Sequence, residues 1–356
     1  MTESEAERDE PPLGGDYHAH TTADAAAARP EDTLGQHLVG SLHRSRSTVF
    51  WLLRIMVPAS ALVFALERSG LLAVAAAPLE PVMALLGLPG AAAVAVMSSV
   101  LVNLYAVIAM LPVLELDVRQ LTVLGLLCLV AHNFLVELAV TRRTGTPVPR
   151  MFAVRLLGGI LLAGLTARLI PDQGAWLEPV HTAGLSYTDT SALALGPALR
   201  IWGTELLWLL LRVSLVVSAL VVITRAMQYL GITDRLAAIV APPLRLMGLP
   251  RSASTAWIVA NTLGLAYGAA VLREEAESGR LNAADGDLLN HHLGVSHSLL
   301  EDTALFAALG APAAWLIVPR VALAVLVVWE RRLERYFVGR MRPTGSSGQV
   351  RGPSTP

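Results

Sequence analysis

The sequence predicts an all-α membrane protein, a polytopic helical bundle of two homologous repeats, inverted relative to each other, with short broken or re-entrant helices. Three observations carry this expectation. Of 356 residues, 54% are hydrophobic and only 15% charged, with a mean hydropathy of +0.56, more apolar material than a soluble chain of this length needs to fill a core. Apolar runs close to bilayer length recur along the chain. Segments of the second half repeat segments of the first in the same order.

Composition narrows the chemistry. The formal net charge is -1, and no basic stripe supports nucleic-acid binding. Every non-histidine cation is Arg and none is Lys, which excludes lysine Schiff-base chemistry and leaves proton relay to His and carboxylates. The lone Cys128 lies in an apolar run and reads as a core thiol, so neither an intramolecular disulfide nor a cysteine zinc site is available. No nucleophile stands beside a base at diagnostic spacing, so no catalytic residue, enzyme activity or cofactor is expected.

Residues 1–47 are polar and aperiodic and read as a disordered cytoplasmic tail, with a short amphipathic helix near 34–42. Asp16, His18 and His20 form a DYHAH run that reads as solvated chain. The N-terminus lacks the basic and apolar regions of a signal peptide, so the first hydrophobic helix is its own insertion signal. His43, Arg44 and Arg46 put a basic edge beside that helix and argue for a cytoplasmic N-terminus.

Repeat 1 covers 48–170. Its first segment, 49–66, ends at Glu67, Arg68 and Gly70. The second, 71–86, is interrupted by Pro78, Glu80 and Pro81 and closes on GLPG. At about 1.5 Å per residue it reaches roughly 24 Å, short of a core of about 30 Å, so it is a broken half-span or a re-entrant element. Segments 91–114, 118–140 and 151–170 follow. A connecting loop, 171–200, leads to repeat 2 at 201–337, and 338–356 form a disordered tail. The duplication rests on ordered matches: LLRIMVPASALV with LLRVSLVVSALV, PVMALLGLP with PPLRLMGLP, and HNFLVELAV with HSLLEDTAL. After the last pair, Gly145, Pro147 and Arg155 correspond without a gap to Gly310, Pro312 and Arg320.

Parity sets topology. If the short second segments cross, each half has five crossings and the halves are inverted; if they are re-entrant, each has four and the halves are parallel. The basic loop TRRTGTPVPR falls on the cytoplasmic side only in the ten-crossing arrangement, which favours ten, and the tail ERRLERYFVGRMR is also cytoplasmic there. Arg245 and Arg251 would then lie outside, against the trend.

Candidate binding groups come from three places. Paired Pro/Gly interruptions at matching positions point to unwound backbone that exposes N–H and C=O groups to a ligand: Pro81, Gly87, Pro89 and Gly90 in one half, Pro242, Gly248 and Pro250 in the other. The alternative reading is a pair of sharp turns. In the third segments, Asn103, Tyr105, Asn261 and Tyr267 offer polar groups to a solute, while Thr262 reads as helix packing. The fourth segments are densest. His297, Ser298, Glu301 and Asp302 are candidate substrate groups, because ionisable side chains within a bilayer are expensive and mark function by default.

His132, Asn133 and Glu137 are the first-half counterparts of His297, Ser298 and Asp302. With Arg155 and Arg320 they read as a coupling or ion-pair set, and Arg54 and Arg212 are further candidate partners. Asp285, Asp287, His291, His292 and Glu301 have no matching set in repeat 1, which suggests that repeat 2 holds the specific site. Asp287 with His291, and His297 with Glu301, have ligand spacing on a helix, but a compact site would need ligands from elsewhere, so no metal site is expected.

LERSGLL, GLPG, NLYAVIA and HNFLVEL, with GLAYGAAVLREEAESG and SHSLLEDTALFAALG, resemble the bacterial membrane proteins with tandem Gate domains, also called nucleoside recognition domains, over residues 49 to about 337. The resemblance implies an all-helical, multi-pass protein of the bacterial inner membrane with a transport role, and positive-inside counting puts both termini in the cytoplasm. Gate domains resemble parts of concentrative nucleoside transporters and of the ferrous-iron transporter membrane domain. The iron transporter's membrane cysteines have no counterpart here beyond Cys128, which lies in a different context, and its G-domain motifs are not seen. The reading that follows is a permease for a small polar solute, nucleoside-like solutes included, driven by an ion or proton gradient. Two alternatives stand beside it: a partner-binding or assembly factor without transport, and a divalent-metal transporter. The expected partners are the lipid bilayer, the solute and, in a homo-oligomer, a second copy, with no nucleic acid.

Overall fold

The computed structural model describes residues 34–114, 116–179 and 193–341. Among them every regular element is helical, apart from one isolated bridge between Asp117 and Pro179. Asp16, His18 and His20 lie outside the described residues, as does 342–356.

The helix expected near 34–42 is present but does not end there; it runs on through 47 into the first hydrophobic segment as one helix, α1 (Leu34–Arg68), with Pro58 inside it. Three short pieces follow, α2 (Leu71–Ala76), a 3-10 turn and α3 (Glu80–Leu85), because Pro78 and Pro81 each remove an amide from the ladder. Gly87, at φ 69°, then turns the chain into α4 (Ala92–Leu101). Asn103 starts α5 (Leu104–Met110), its side-chain oxygen accepting from Ala106 N. Asp117 and Gln120 close a reciprocal capping box on α6 (Val118–Val130), and α7 (Phe134–Arg143) and α8 (Val148–Leu169) complete the half.

The second half has the same order. The long α9 (Leu195–Tyr229) stands for α1, and its start shortens the connecting loop expected at 171–200. Next is α10 (Ile232–Leu244), where the first half has short pieces, ending in a turn at Gly248 with φ 80°. Then come α11 (Ser254–Leu263), α12 (Leu265–Glu277), α13 (Ala283–Ser296), α14 (Glu301–Ala308) and α15 (Ala313–Met341), the last running past the expected boundary at 337. Helices α1 and α9 pack on each other, as do α8 and α15; α6 touches α15 where α13 touches α8.

The same element of each half forms the core. In α6 every residue from Leu121 to Val130 is buried, and in α13 every residue from Gly286 to Ser296. The flanking helices turn leucines outward at one-turn spacing, Leu157, Leu161 and Leu165 on α8 and Leu207, Leu211 and Leu215 on α9. Four helical stretches, 118–143, 148–169, 195–229 and 313–338, are long and apolar enough to cross a membrane, and outward leucines on them are what lipid contact requires.

Candidate functional site

Each half contains two broken helices that meet at their breaks. The ladder of α6 ends at Ala131, and Asn133 takes φ 49°; α13 ends at Ser296, and Ser298 takes φ 51°. These are the only non-glycine residues with positive φ among those described. A left-handed residue with a Cβ costs roughly 1–2 kcal/mol, so the surroundings must hold it there. They do: Asn133 N donates to Ser99 O at 2.8 Å and Ser298 N to Ala260 O at 3.0 Å, tying each break to the helix that is itself broken a few residues later, at Asn103 or at Gly264.

The breaks strand backbone carbonyls, and the two buried arginines take them up. Arg155 donates from Nε to Val130 O at 2.9 Å and from Nη2 to His132 O at 2.8 Å. Arg320 does the same to Val295 O at 3.4 Å and His297 O at 2.6 Å. Both are wholly buried, so these bonds replace water that cannot reach the carbonyls.

The histidines preceding the left-handed residues face each other. Nδ1 of His132 lies 3.0 Å from Cys128 O, and Nδ1 of His297 lies 2.8 Å from Leu293 O. A carbonyl only accepts, so both Nδ1 atoms carry hydrogen, and both Nε2 atoms point into the junction 3.3 Å apart. Glu137 spans them, with Oε1 2.9 Å from His132 Nε2 and Oε2 3.3 Å from His297 Nε2, and its Oε2 is 2.7 Å from Arg155 Nη1. Asp302, the counterpart of Glu137, is one methylene shorter and makes no ion pair within 4 Å among the described residues, whereas Glu137 approaches Arg155 to 2.7 Å; Oδ2 of Asp302 and Nη1 of Arg320, like Oε2 of Glu137 and Nη1 of Arg155, are buried without a well-aligned hydrogen bond. The two halves therefore differ in whether the carboxylate reaches its arginine.

The structure brings His132, Glu137, Arg155, His297, Asp302 and Arg320 together, with Tyr105 donating to Glu301 Oε1 at 2.7 Å from the other half. Asn261 joins this side through its carbonyl, which accepts from Leu300 N, while its Nδ2 donates to Trp257 O and its Oδ1 is buried without a partner. Asn103 is spent as a helix cap, and Asn133 contributes its backbone conformation. Tyr267 is half-buried on α12. Arg54 is exposed, and Arg212 reaches Ala308 O at 3.4 Å, so neither is an ion-pair partner of the central carboxylates.

The backbone expected to unwind around Pro81, Gly87, Pro89 and Gly90, and around Pro242, Gly248 and Pro250, instead forms turns: Leu88 N bonds Met83 O and Leu249 N bonds Leu244 O, as in helix C-caps. The unwound backbone lies at Asn103, Asn133, Gly264 and Ser298. Asp287, His291 and His292, grouped with His297 by sequence, separate from it. Asp287 takes bonds from Thr146 at 2.8 Å, Arg331 at 2.8 Å and Arg335. His291 Nε2 meets Arg150 Nε at 2.8 Å, and Arg150 pairs with Glu330 and Glu334. His292 packs on Trp257 and bonds Ser296. Only the four-residue spacing of Asp287 and His291 signals this second network in the sequence; its other partners come from the far end of α15, from the loop before α8 (Thr146) and from the first turn of α8 (Arg150).

Comparison with known proteins adds identity to the geometry. The model of the Gate family, described as nucleoside recognition, matches residues 49–147. Residues 49–147 are thus similar to the Gate family. The matched stretch contains Asn103, Tyr105, His132, Asn133 and Glu137 and ends before Arg155. The chain is also 29% identical over 287 residues to the uncharacterized membrane protein YvoD of Bacillus subtilis (strain 168), covering 79% of this chain and 89% of that one. No solved structure matches. Together these similarities point to a transporter-like membrane protein.

Proposed function

We propose that the protein is a permease of the bacterial inner membrane for a small polar solute, of which nucleosides are the first class to test, with the solute passing the junction between the halves. The observation that carries this reading is the meeting of broken helices from both halves around buried polar groups that are only partly satisfied. Discontinuous helices with exposed backbone and ionisable side chains at a repeat interface are what transport sites are built from. The nucleoside-recognition description of the Gate family supports the solute class. Proton coupling would run through His297, Glu301 and Asp302.

The topology that best fits is two inverted halves of five crossings each, with both termini cytoplasmic. Thr146 bonds Asp287, and Arg150 pairs with Glu330 and Glu334, while Trp176 packs edge-on against Trp315. Contacting residues at helix ends share a side of the membrane. Segments five to eight lie between residues 146 and 287, and segments six to nine between 176 and 315, an even number in both cases. Leaving out the short seventh segment makes both odd, so these contacts support counting it as a crossing. The face holding Arg142, Arg143, Arg150, Arg331 and Arg335 is then cytoplasmic. The opposite face carries an open cavity of about 280 Å³, lined by Glu178, Arg212 and 307–310, which suits a vestibule.

The test is uptake of radiolabelled nucleosides and other small polar solutes into proteoliposomes, comparing wild type with Glu301→Gln and Tyr105→Phe. The reading expects saturable uptake that falls in both variants. Uptake equal to that of empty liposomes for every solute would favour the partner-binding alternative, and unchanged uptake in both folded variants would remove the junction from the pathway.

A further inference from the structure

We propose that the junction of the two halves is a binding site for one divalent transition-metal ion of the zinc or cobalt(II) class, held by His132 Nε2, His297 Nε2 and the Asp302 carboxylate. Nothing about it depends on whether the protein moves a solute.

Four observations converge on it. The three side chains each offer a donor atom, and these atoms lie within 4.8 Å of one another, all in buried residues. The two Nε2 atoms are 3.3 Å apart. With zinc–nitrogen bonds of about 2.0–2.1 Å, the edge of a tetrahedron is about 1.63 times longer, or about 3.3–3.4 Å, so the imidazoles already stand at the separation that two ligands on one ion require. Each ring has its Nδ1 hydrogen engaged by a main-chain carbonyl of its own helix, Cys128 O or Leu293 O. That partner fixes the tautomer that leaves the Nε2 lone pair free, the usual outer support of a metal-ligating histidine. Finally, Asp302 Oδ2 is buried and has no hydrogen-bond partner.

Two imidazole lone pairs and a carboxylate aimed at one another repel unless a cation lies between them. Glu137, within 3.3 Å of both rings, supplies a fourth oxygen at the edge of the site. Arg155 holds Glu137 from behind, as outer-shell groups do for ligands in metal centres. The surrounding charge accommodates a cation, since two buried carboxylates (Glu137 and Asp302) and the half-buried Glu301 stand against two guanidiniums. The ligands are contributed by both halves, two from repeat 2 and one from repeat 1, so the ion would clamp the halves together across the junction. The donor set of nitrogen and carboxylate, without thiolate, suits zinc, cobalt(II), nickel(II) or iron(II) over soft copper(I).

The experiment uses the full-length protein, purified without a histidine tag and carrying His18→Ala and His20→Ala so that the tail does not compete. Cobalt(II) chloride is titrated and followed by visible absorption, and the zinc form is examined by X-ray absorption. The expected result is one cobalt per chain with the bands of a four- or five-coordinate ion, and two imidazole nitrogens at about 2.0–2.1 Å from zinc. His132→Ala and His297→Ala should abolish the bands, and Asp302→Asn should weaken binding more than about tenfold. Because the histidine variants could fail to fold, the imidazole count is made on the protein with its junction intact. No saturable cobalt binding, or a bound ion with fewer than two imidazoles, overturns the proposal.

Discussion

Arg155 and Arg320 occupy corresponding places and make corresponding bonds to carbonyls, yet only Arg155 has a carboxylate in contact. This difference predicts unequal consequences of the same substitution. Arg155→Met strands the Glu137 carboxylate in a buried site and also leaves two carbonyls without donors; removing one partner of a buried ion pair costs about 3–5 kcal/mol. Arg320→Met strands carbonyls but breaks no ion pair, and should cost about 1–3 kcal/mol. Adding Glu137→Gln to Arg155→Met removes the stranded charge while keeping an amide of the same shape, so the double variant should recover about 1–3 kcal/mol relative to the sum of the two single changes. Equilibrium unfolding in mixed detergent micelles, over the four members of the cycle, reads this coupling. Additivity within about 0.5 kcal/mol, or equal losses for Arg155→Met and Arg320→Met, would refute the assignment of Arg155 as the counter-ion of Glu137.

Packing and topology give further tests. A Cβ at Gly268 would lie 2.8 Å from the Cα of Ala260, where α11 and α12 cross, so Gly268→Ala should destabilise by about 1–3 kcal/mol. Gly203 on α9 has nothing within 4 Å, and Gly203→Ala should be neutral or stabilise by up to about 1 kcal/mol in the same unfolding assay. In a Cys128→Ala background, Arg143→Cys should react with a membrane-impermeant thiol reagent only from the cytoplasmic side and Asp172→Cys only from outside; labelling of Arg143→Cys from outside would break the inverted arrangement.

The pairing of HNFLVELAV with HSLLEDTAL was the most informative feature of the sequence, because its ungapped register places His132 opposite His297, Glu137 opposite Asp302 and Arg155 opposite Arg320, and these are the groups that meet at the junction. The helix breaks were harder to see. Asn133 and Ser298 adopt a left-handed conformation without being glycine, so no punctuation marks them, whereas the Pro/Gly runs that do stand out end helices in ordinary turns. Asn103 and Asn261 looked equivalent by residue type. The spacing that pairs Gly87 with Gly248 instead sets Asn103 opposite Gly264, two solutions to starting a helix after a break: an amide cap in one half and an unrestricted backbone in the other. The Asp287 network stayed hidden because its cations lie on α15, more than forty residues downstream in a stretch that reads only as a basic helix end.

The most direct test of the junction as a pathway is the reactivity of Ser298→Cys in the Cys128→Ala background. Residue 298 is buried in the junction beside His297 and already carries a Cβ in its left-handed conformation, so the change is small. A solute pathway that opens alternately predicts modification by a small charged thiol reagent from either side of the membrane, slowed by the transported solute. A folded protein in which position 298 reacts from neither side, while Arg143→Cys labels normally, would contradict it.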